Sequence, residues 1–322
     1  MTSPRTNSTH KIKATQEQLD LMLTYYEGYL TYNASEYIIA RAKLANATIT
    51  FYKTNVVLFQ GENETAEYNQ WAKKFNLPLE EITTIEQINY SNFSVIGSDE
   101  VGTGDYFGPI VVCATYVAVE QIDALKKLGV KDSKLLTDKQ IISLGMKISE
   151  MIPYSIMFLE PKKINHLSPE KANFNYLKSY LHNKVINSIL NKNPNVKLDA
   201  ILIDEFTPKE KYLEYLKNEQ IIVTNVTMIT KGERAHVAIA AASILARYTF
   251  LRELNKYSTK YNFLFLKGAG NEVDRSAISF VKAYGWDELD LVAKLKFANT
   301  TRIKEYFVNN PLPKSKLPKD NK

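Results

Sequence analysis

Two adjacent carboxylates, Asp99 and Glu100, close an apolar run that begins at Phe93, and Gly102-Thr103-Gly104 follows almost at once. Paired acids at the end of a strand offer the hard oxygen donors that Mg2+ and Mn2+ prefer. A bare-backbone turn lets main-chain N–H and C=O groups approach a ribose or a phosphate, because no Cβ stands in the way. Two more acids have similar placements. Asp204 ends the apolar run Ala200 to Ile203, and Glu233 lies in Lys231-Gly232-Glu233-Arg234, just before a segment rich in small residues. Carboxylates packed together repel, and some take up protons unless cations neutralise them. Two divalent ions about 3.5–4 Å apart could share such acids, activate a water and stabilise both the attacking and leaving oxygens of a phosphodiester. Taken singly, each acid also reads as a helix cap or a solvated loop carboxylate, since Asp and Glu are seldom buried. Their shared placement beyond strand ends, where ligand sites of open α/β sheets gather, favours the metal site. Asp99 and Asp204 can converge only if their strands are parallel neighbours.

Other polar groups stand close by in the chain. Ser98 precedes the acid pair, and Lys134 (in Asp132-Ser133-Lys134) and Lys231 could act as cationic positioning contacts to phosphate. Thr103 is expected to face outward, with its hydroxyl near a phosphate. The 2′-hydroxyl is what tells RNA from DNA at one nucleotide, and the backbone of Gly102, Thr103 and Gly104 is suited to read it. His182 and His236 read as packed or helix-surface residues, because metal-assisted hydrolysis needs neither. Glu205 points away from Asp204 if the strand continues. Asp274 is a loop acid that could approach the site.

The elements that must position these groups fall into two sets. In the first, Thr15 and Gln18 have capping-box spacing and open a helix to about Tyr29. Strand-like runs follow at 37–44, 47–52 and 56–60, the last two forming a hairpin across Lys53-Thr54-Asn55. A second helix covers about 64–75. Residues 1–12 read as a disordered lead. Arg41, Lys43 and Lys53, with Tyr37, Phe51 and Tyr52, are candidates for a nucleic-acid-binding face, or else solvated cations beside core aromatics. In the second set, strands at 93–99, 110–119, 154–159, 200–204 and 221–229 alternate with helices, among them about 137–151, 173–190, 208–218 and 236–254. That order implies a mixed α/β sheet. The boundaries are then 1–88, 89–310 and a basic tail at 311–322.

Composition narrows the partners. The 322 residues are 45% apolar and 24% charged, and the net charge is +6. Residues 1–88 carry a net −2 and the remainder +8. A basic chain favours a polyanionic partner. No apolar stretch approaches the ~20 residues that cross a bilayer. The one cysteine, Cys113, lies in an apolar run and reads as buried, so a disulfide framework is excluded and a reducing, cytoplasmic setting is expected. Nothing suggests an oligomer, and a monomer without a small-molecule cofactor is expected.

The run Asp99-Glu-Val-Gly-Thr-Gly-Asp-Tyr-Phe-Gly-Pro109 resembles the signature of the type 2 ribonucleases H. Val130-Lys-Asp-Ser-Lys134, Leu202-Ile-Asp204, Lys231-Gly-Glu233 and Ala240-Ala-Ala-Ser-Ile-Leu-Ala-Arg247 resemble the family's later motifs, in order. Thr103 between the glycines and glutamate at 233 resemble the HIII branch; HII typically carries arginine and aspartate there. The resemblance implies a ribonuclease H-like mixed sheet with flanking helices, preceded by a small α+β domain resembling the TATA-box-binding fold. It implies Asp99, Glu100, Asp204 and Glu233 as metal-holding catalytic acids, Mg2+ or Mn2+ as the ion, and RNA–DNA hybrid as substrate. The expected products are 3′-hydroxyl and 5′-phosphate ends, and the first domain becomes a hybrid-binding surface. HII-like incision at single ribonucleotides, or hybrid binding without catalysis, are the alternatives.

Overall fold

The computed structural model describes residues 10–32, 36–61, 63–80 and 88–311. The chain divides into two compact units, Met1–Ile88 and Asn89–Lys322.

In the first unit, β1 (His10–Lys13), α1 (Gln16–Tyr25), β2 (Leu30–Thr31), β3 (Ile38–Lys43), β4 (Ala47–Tyr52), β5 (Val56–Gly61) and α2 (Glu64–Lys74) follow in order. The strands form an antiparallel sheet in the order β1-β5-β4-β3-β2. Thr15 caps α1 through a reciprocal capping box with Gln18. At the β4–β5 turn, Asn55 adopts φ 59°, a left-handed conformation that Asn tolerates better than most residues. Alternate residues of the sheet, among them Ala42, Ile49, Phe51, Val57 and Phe59, are buried with Met22, Tyr26 and Trp71 of the helices. The polar ends of that core are satisfied: the Tyr26 hydroxyl donates to Glu67 (2.7 Å) and accepts from Trp71 Nε1 (2.8 Å).

Two expectations need correcting in this unit, and one short strand was not anticipated. His10 to Ile12, read as the end of a disordered lead, form with Lys13 an edge strand paired with β5. Phe51 is fully buried, so it belongs to the core and not to an outer face. The two-residue β2 is too short to leave a periodic signal. Residues 1–9 of the lead and 312–322 of the tail lie outside the described residues.

The second unit contains β6 (Val95–Val101), β7 (Ile110–Val117), α3 (Ile122–Leu128), α4 (Asp138–Met151), β8 (Tyr154–Leu159), α5 (Pro161–Asn165) and α6 (Phe174–Lys192). It continues with β9 (Ala200–Asp204), α7 (Lys209–Leu216), β10 (Thr227–Ile229), α8 (Gly232–Ala235), α9 (Val237–Tyr261), α10 (Asn271–Tyr284), α11 (Trp286–Val292) and α12 (Ala298–Asn309). The sheet order is β10-β9-β6-β7-β8. Pairings β6–β7 and β7–β8 are antiparallel, whereas β6–β9 and β9–β10 are parallel. One face of the sheet (Val95, Val111, Cys113, Leu202) packs with α4 and α9; the other (Ile96, Val112, Ala114, Ile201, Ile203) packs with α6 and α7. Cys113 is buried and free.

The strand expected at 221–229 is confined to Thr227–Ile229. The reason lies in Asn183 of α6. Its amide donates to Ile221 O (2.7 Å) and its carbonyl accepts from Val223 N (2.9 Å), which gives the early part of the segment side-chain partners in place of a strand ladder. The small-residue helix also runs seven residues beyond Leu254, to Tyr261.

Helix α9 lies very close on β6. A Cβ built on Gly97 would stand 2.4 Å from Ile239 N and 2.5 Å from Ala238 C, both backbone atoms that cannot swing aside. The Thr115 hydroxyl pins the same turn by donating to Ala238 O at 2.8 Å. Gly97→Ala must therefore push α9 off the sheet. We expect a loss of about 3 kcal/mol or more of stability, the upper range for overpacking a well-filled core, measured as a fall in the denaturant midpoint at unchanged slope. A loss under about 0.5 kcal/mol, the size of an ordinary surface substitution, would contradict the close approach.

Candidate active site

The β6–β9 register pairs Gly97 with Leu202 and Ser98 with Ile203, so the next position sets Asp99 beside Asp204 at the carboxyl ends of two parallel strands. Neighbouring strands lie about 4.8 Å apart, which brings the two side chains within reach of each other. Strand alternation puts Asp99, with Gly97, on the α9 face. Glu100, with Ser98, falls on the α6 face. The acid pair thus straddles the end of the sheet.

Each acid is held by its own donors. Asp99 Oδ1 accepts from Glu100 N (2.7 Å), and Asp204 Oδ1 accepts from Gly232 N (2.8 Å). Gly232 is close to Asp204 and Ile239, and an added Cβ would lie 3.0 Å from the Asp204 carboxylate and 2.7 Å from Ile239 Cδ1. Glu233 sits in the short α8 turn and accepts from Ser133 N (2.7 Å) and Ser243 Oγ (2.7 Å). Ser243, on the small-residue helix, also meets Ser133 Oγ at 2.9 Å, so the two serines brace Glu233 together. The Asp-Ser-Lys turn is therefore a support for the fourth acid, fixed in turn by Arg247, which donates to Ser133 O (2.5 Å) and Asp138 (2.7 Å).

The electrostatics show a shared site. Burial, then the charges of Glu100 and Asp204, push the Asp99 carboxyl well above the usual carboxylate range, with a further contribution from Glu233. Burial also raises Asp204, with Glu100 adding to the effect. Burial and a hydrogen bond to Asp132 raise Glu233, and that bond is the main influence holding Asp132 low. Glu100 behaves oppositely. Burial would raise it, but the hydrogen bond and charge of His182 and then the charge of Lys178 outweigh that and hold it low. Oxygen donors whose ionisation is opposed by their neighbours suit hard divalent cations. Among the described residues, no three acid, His or Cys groups are already drawn into one ligating set; each carboxylate leans on its own protein donors.

The glycine loop divides by role. Gly102 is buried at φ 95°, and a Cβ there would lie 2.1 Å from Pro109 O, so its glycine is required by the turn itself. Gly104 is exposed, with nothing within 4 Å of an added Cβ, and Thr103 is half-buried. Behind the loop, Asp105 Oδ1 accepts from Gly268 N (2.5 Å), and Phe107 forms an isolated bridge with Ala293. Lys294, fully buried, donates to Gly108 O (2.5 Å), and burial lowers its ammonium to about 7.

Lys134 is exposed and its charge acts on Asp204; Lys231 is exposed at φ 56°. Ser98 is a correction. It is fully buried, its hydroxyl donates to Cys113 O (2.8 Å) and meets His182 Nδ1 (2.6 Å), and no substrate can reach it. His236 caps α9 by accepting from Ala238 N (3.1 Å), and burial lowers it to about 4. Asp274 is held by Asn299 (2.5 Å) and Arg302 (2.5 Å), as a structural tie between α10 and α12. Sequence reasoning missed His182 and Lys178 as partners of Glu100, at 2.9 and 3.1 Å. Their spacing of four on one helix, which puts two side chains on one face, was the available signal.

A mixed sheet of this order with flanking helices is a fold of the ribonuclease H type. The ribonuclease HII family profile matches residues 96–300, and a domain of unknown function (DUF3378) matches 9–81. Ribonuclease HIII of Enterococcus faecalis is 42% identical over 302 residues, 92% of this chain and 98% of that protein. Ribonuclease HIII of Bacillus pumilus is 40% identical over the same shares. The structure of Bst-RNase HIII in complex with Mn2+ superposes with a TM-score of 0.66 at 36% identity, covering 93% of this chain and 99% of that one. The chain belongs to the ribonuclease HIII family within the type 2 ribonucleases H. It is an endoribonuclease, a phosphodiester hydrolase that acts on RNA–DNA hybrids. No described helix is long and apolar enough to cross a membrane.

Proposed function

We propose that this chain cleaves the RNA strand of RNA–DNA hybrids with two divalent cations, Mg2+ or Mn2+, held by Asp99, Glu100, Asp204 and Glu233. The observation that carries the reading is the parallel β6–β9 register, which sets Asp99 beside Asp204 where neighbouring charge already opposes their ionisation. The donor set fits such ions: it is all carboxylate oxygen, the ligand type that hard divalent cations take. The Mn2+ complex of Bst-RNase HIII supports the choice of metal. When bound, the ions supply a nucleophilic water and neutralise charge on the attacking and leaving oxygens, so the products carry 3′-hydroxyl and 5′-phosphate ends.

The chain's own residues then have distinct tasks. Ser133 and Ser243 hold Glu233, and Gly232 N holds Asp204. Thr103 and Gly104 present backbone to the ribose 2′-hydroxyl, and Lys134 and Lys231 steady the phosphate backbone. The first unit, 1–88, binds hybrid through the sheet face turned away from its helices, while 89–310 carries the chemistry and 311–322 is a basic tail. The protein works as a monomer, without a small-molecule cofactor, in the cytoplasm; the free, buried Cys113 supports a reducing setting.

One experiment tests the core of this. A hybrid duplex and a DNA duplex with one embedded ribonucleotide are each incubated with the protein and Mg2+ or Mn2+. Cutting at many positions along the hybrid, with little at the lone ribonucleotide, is expected; preferential incision at the lone ribonucleotide would favour HII-like action, and no cutting with either metal would leave only hybrid binding. In parallel, Mn2+ at about 100 times its dissociation constant should stabilise the fold by about 2.7 kcal/mol. That corresponds to roughly 5–10 °C in melting temperature for a domain of this size. An unshifted melt would remove the cations from these acids.

A further inference from the structure

Glu100 is the one acid of the four that burial fails to raise, and its surroundings are built from a different face of the sheet than those of Asp99. His182, fully buried on α6, sets Nε2 2.9 Å from Glu100 Oε2. Its other nitrogen, Nδ1, lies 2.6 Å from Ser98 Oγ, and the Ser98 hydroxyl donates onward to Cys113 O at 2.8 Å. A carboxylate only accepts, so His182 Nε2–H is the donor to Glu100. With both nitrogens engaged, a flipped ring would put carbon against both partners, so the imidazole has one orientation. Phe206 stacks on that ring at 5.1 Å with planes 14° apart, and Lys178 lies 4.3 Å over the Phe206 ring while its ammonium reaches Glu100 Oε1 at 3.1 Å. Both carboxylate oxygens are therefore fixed from the same helix.

We propose that His182, anchored by Ser98 and seconded by Lys178, is a positioning residue that sets the Glu100 carboxylate for metal capture and hybrid cleavage. This rests on the reading that Glu100 helps to hold the cations. Groups that orient a metal-ligating side chain typically govern affinity or activity by 10- to 100-fold.

The test uses the full-length protein and three substitutions at one position. His182→Phe keeps a ring against Phe206 and removes both nitrogens; His182→Gln restores one N–H donor; His182→Ala opens a space that free imidazole can enter. For each, kcat and KM on a hybrid, Mn2+ affinity by calorimetry without substrate, and melting temperature are measured. His182→Phe and His182→Ala are expected to lower kcat and Mn2+ affinity by about 10- to 100-fold with KM changed by less than about two-fold. His182→Gln should lose less, imidazole should return part of the His182→Ala activity, and Ser98→Ala should shift the same readouts more weakly. If His182→Phe folds and keeps wild-type kcat and Mn2+ affinity, His182 is a packing residue and the proposal is overturned. If His182→Ala fails to fold, the Phe and Gln variants decide. Asp99→Asn run alongside separates the two levels: an active Asp99→Asn sinks the metal-site reading itself, whereas an inactive Asp99→Asn beside an unaffected His182→Phe sinks only the positioning role.

Discussion

Asp99→Asn is expected to abolish cleavage while leaving hybrid affinity within about two-fold, and to raise the melting temperature. The activity loss should be about 10³-fold or more, since withdrawing several kcal/mol of metal-derived charge stabilisation corresponds to that factor. The gain in stability follows from the site's electrostatics. Asp99 is buried, with its ionisation opposed by burial and by Glu100 and Asp204. An acid whose folded-state pKa is raised favours folding below its unfolded value near 3.9, and that contribution is lost as pH rises through the raised value. At neutral pH the ionised form is thus a burden on the folded chain, and the neutral amide, which keeps an oxygen to accept from Glu100 N, removes it. In chelator we expect a rise of about 2–5 °C, equivalent to roughly 1–2 kcal/mol, and the difference from wild type should shrink as pH falls toward the unfolded value. Glu100 has the opposite sign, being held low by His182 and Lys178. Its contribution is present above its unfolded value and lost as pH falls. Glu100→Gln should therefore destabilise where Asp99→Asn stabilises. The pair of melts, read with cleavage and filter binding, checks the assignment; an Asp99→Asn enzyme that still cuts near the wild-type rate refutes it.

Removing the cations from the face of the first sheet turned away from its helices should cost hybrid affinity and flatten its salt dependence. The register aligns Lys11, Leu58, Thr50, Arg41 and Thr31 in one row across five strands. These positions alternate with Ile12, Val57, Ala42 and Phe51 of the core, so Lys11, Lys13, Arg41 and Lys43 share the face turned away from the helices. A unit with net −2 overall can in this way present a local basic strip. Neutralising each phosphate contact contributes about 0.9 to the slope of log K against log salt on B-form DNA. Replacing all four with alanine in the full chain should lower that slope by up to about 3.6 and weaken binding on the order of 10- to 100-fold near physiological salt. The kcat at saturating hybrid should hold, because none of the four lies in the unit that carries the acids. An unchanged slope would take hybrid binding away from this face.

The features that can be read along the chain are those set by short-range physics. Thr15 with Gln18 and Thr137 with Gln140 announce helix starts because a cap needs only a side chain and a backbone N–H three residues on. Gly102 announces a left-handed turn because only glycine takes φ 95° without strain. The small residues of α9 likewise mark a helix that lies close on the sheet. The acids could be singled out from their places at element ends, and the family motifs tied them together. What the tertiary structure alone decided was every relation between distant segments. That β9 lies parallel beside β6 makes Asp99 and Asp204 neighbours; an antiparallel or distant β9 would have left the same residues apart. The hydroxyl of Ser98, polar and next to the acids, was turned inward by strand alternation toward a histidine that α6 alone could bring. Asn183 took backbone partners at Ile221 and Val223 and kept the early, β-branched part of 221–229 out of the strand. Pairing and burial depend on contacts that close long loops, and no local pattern encodes which of them form.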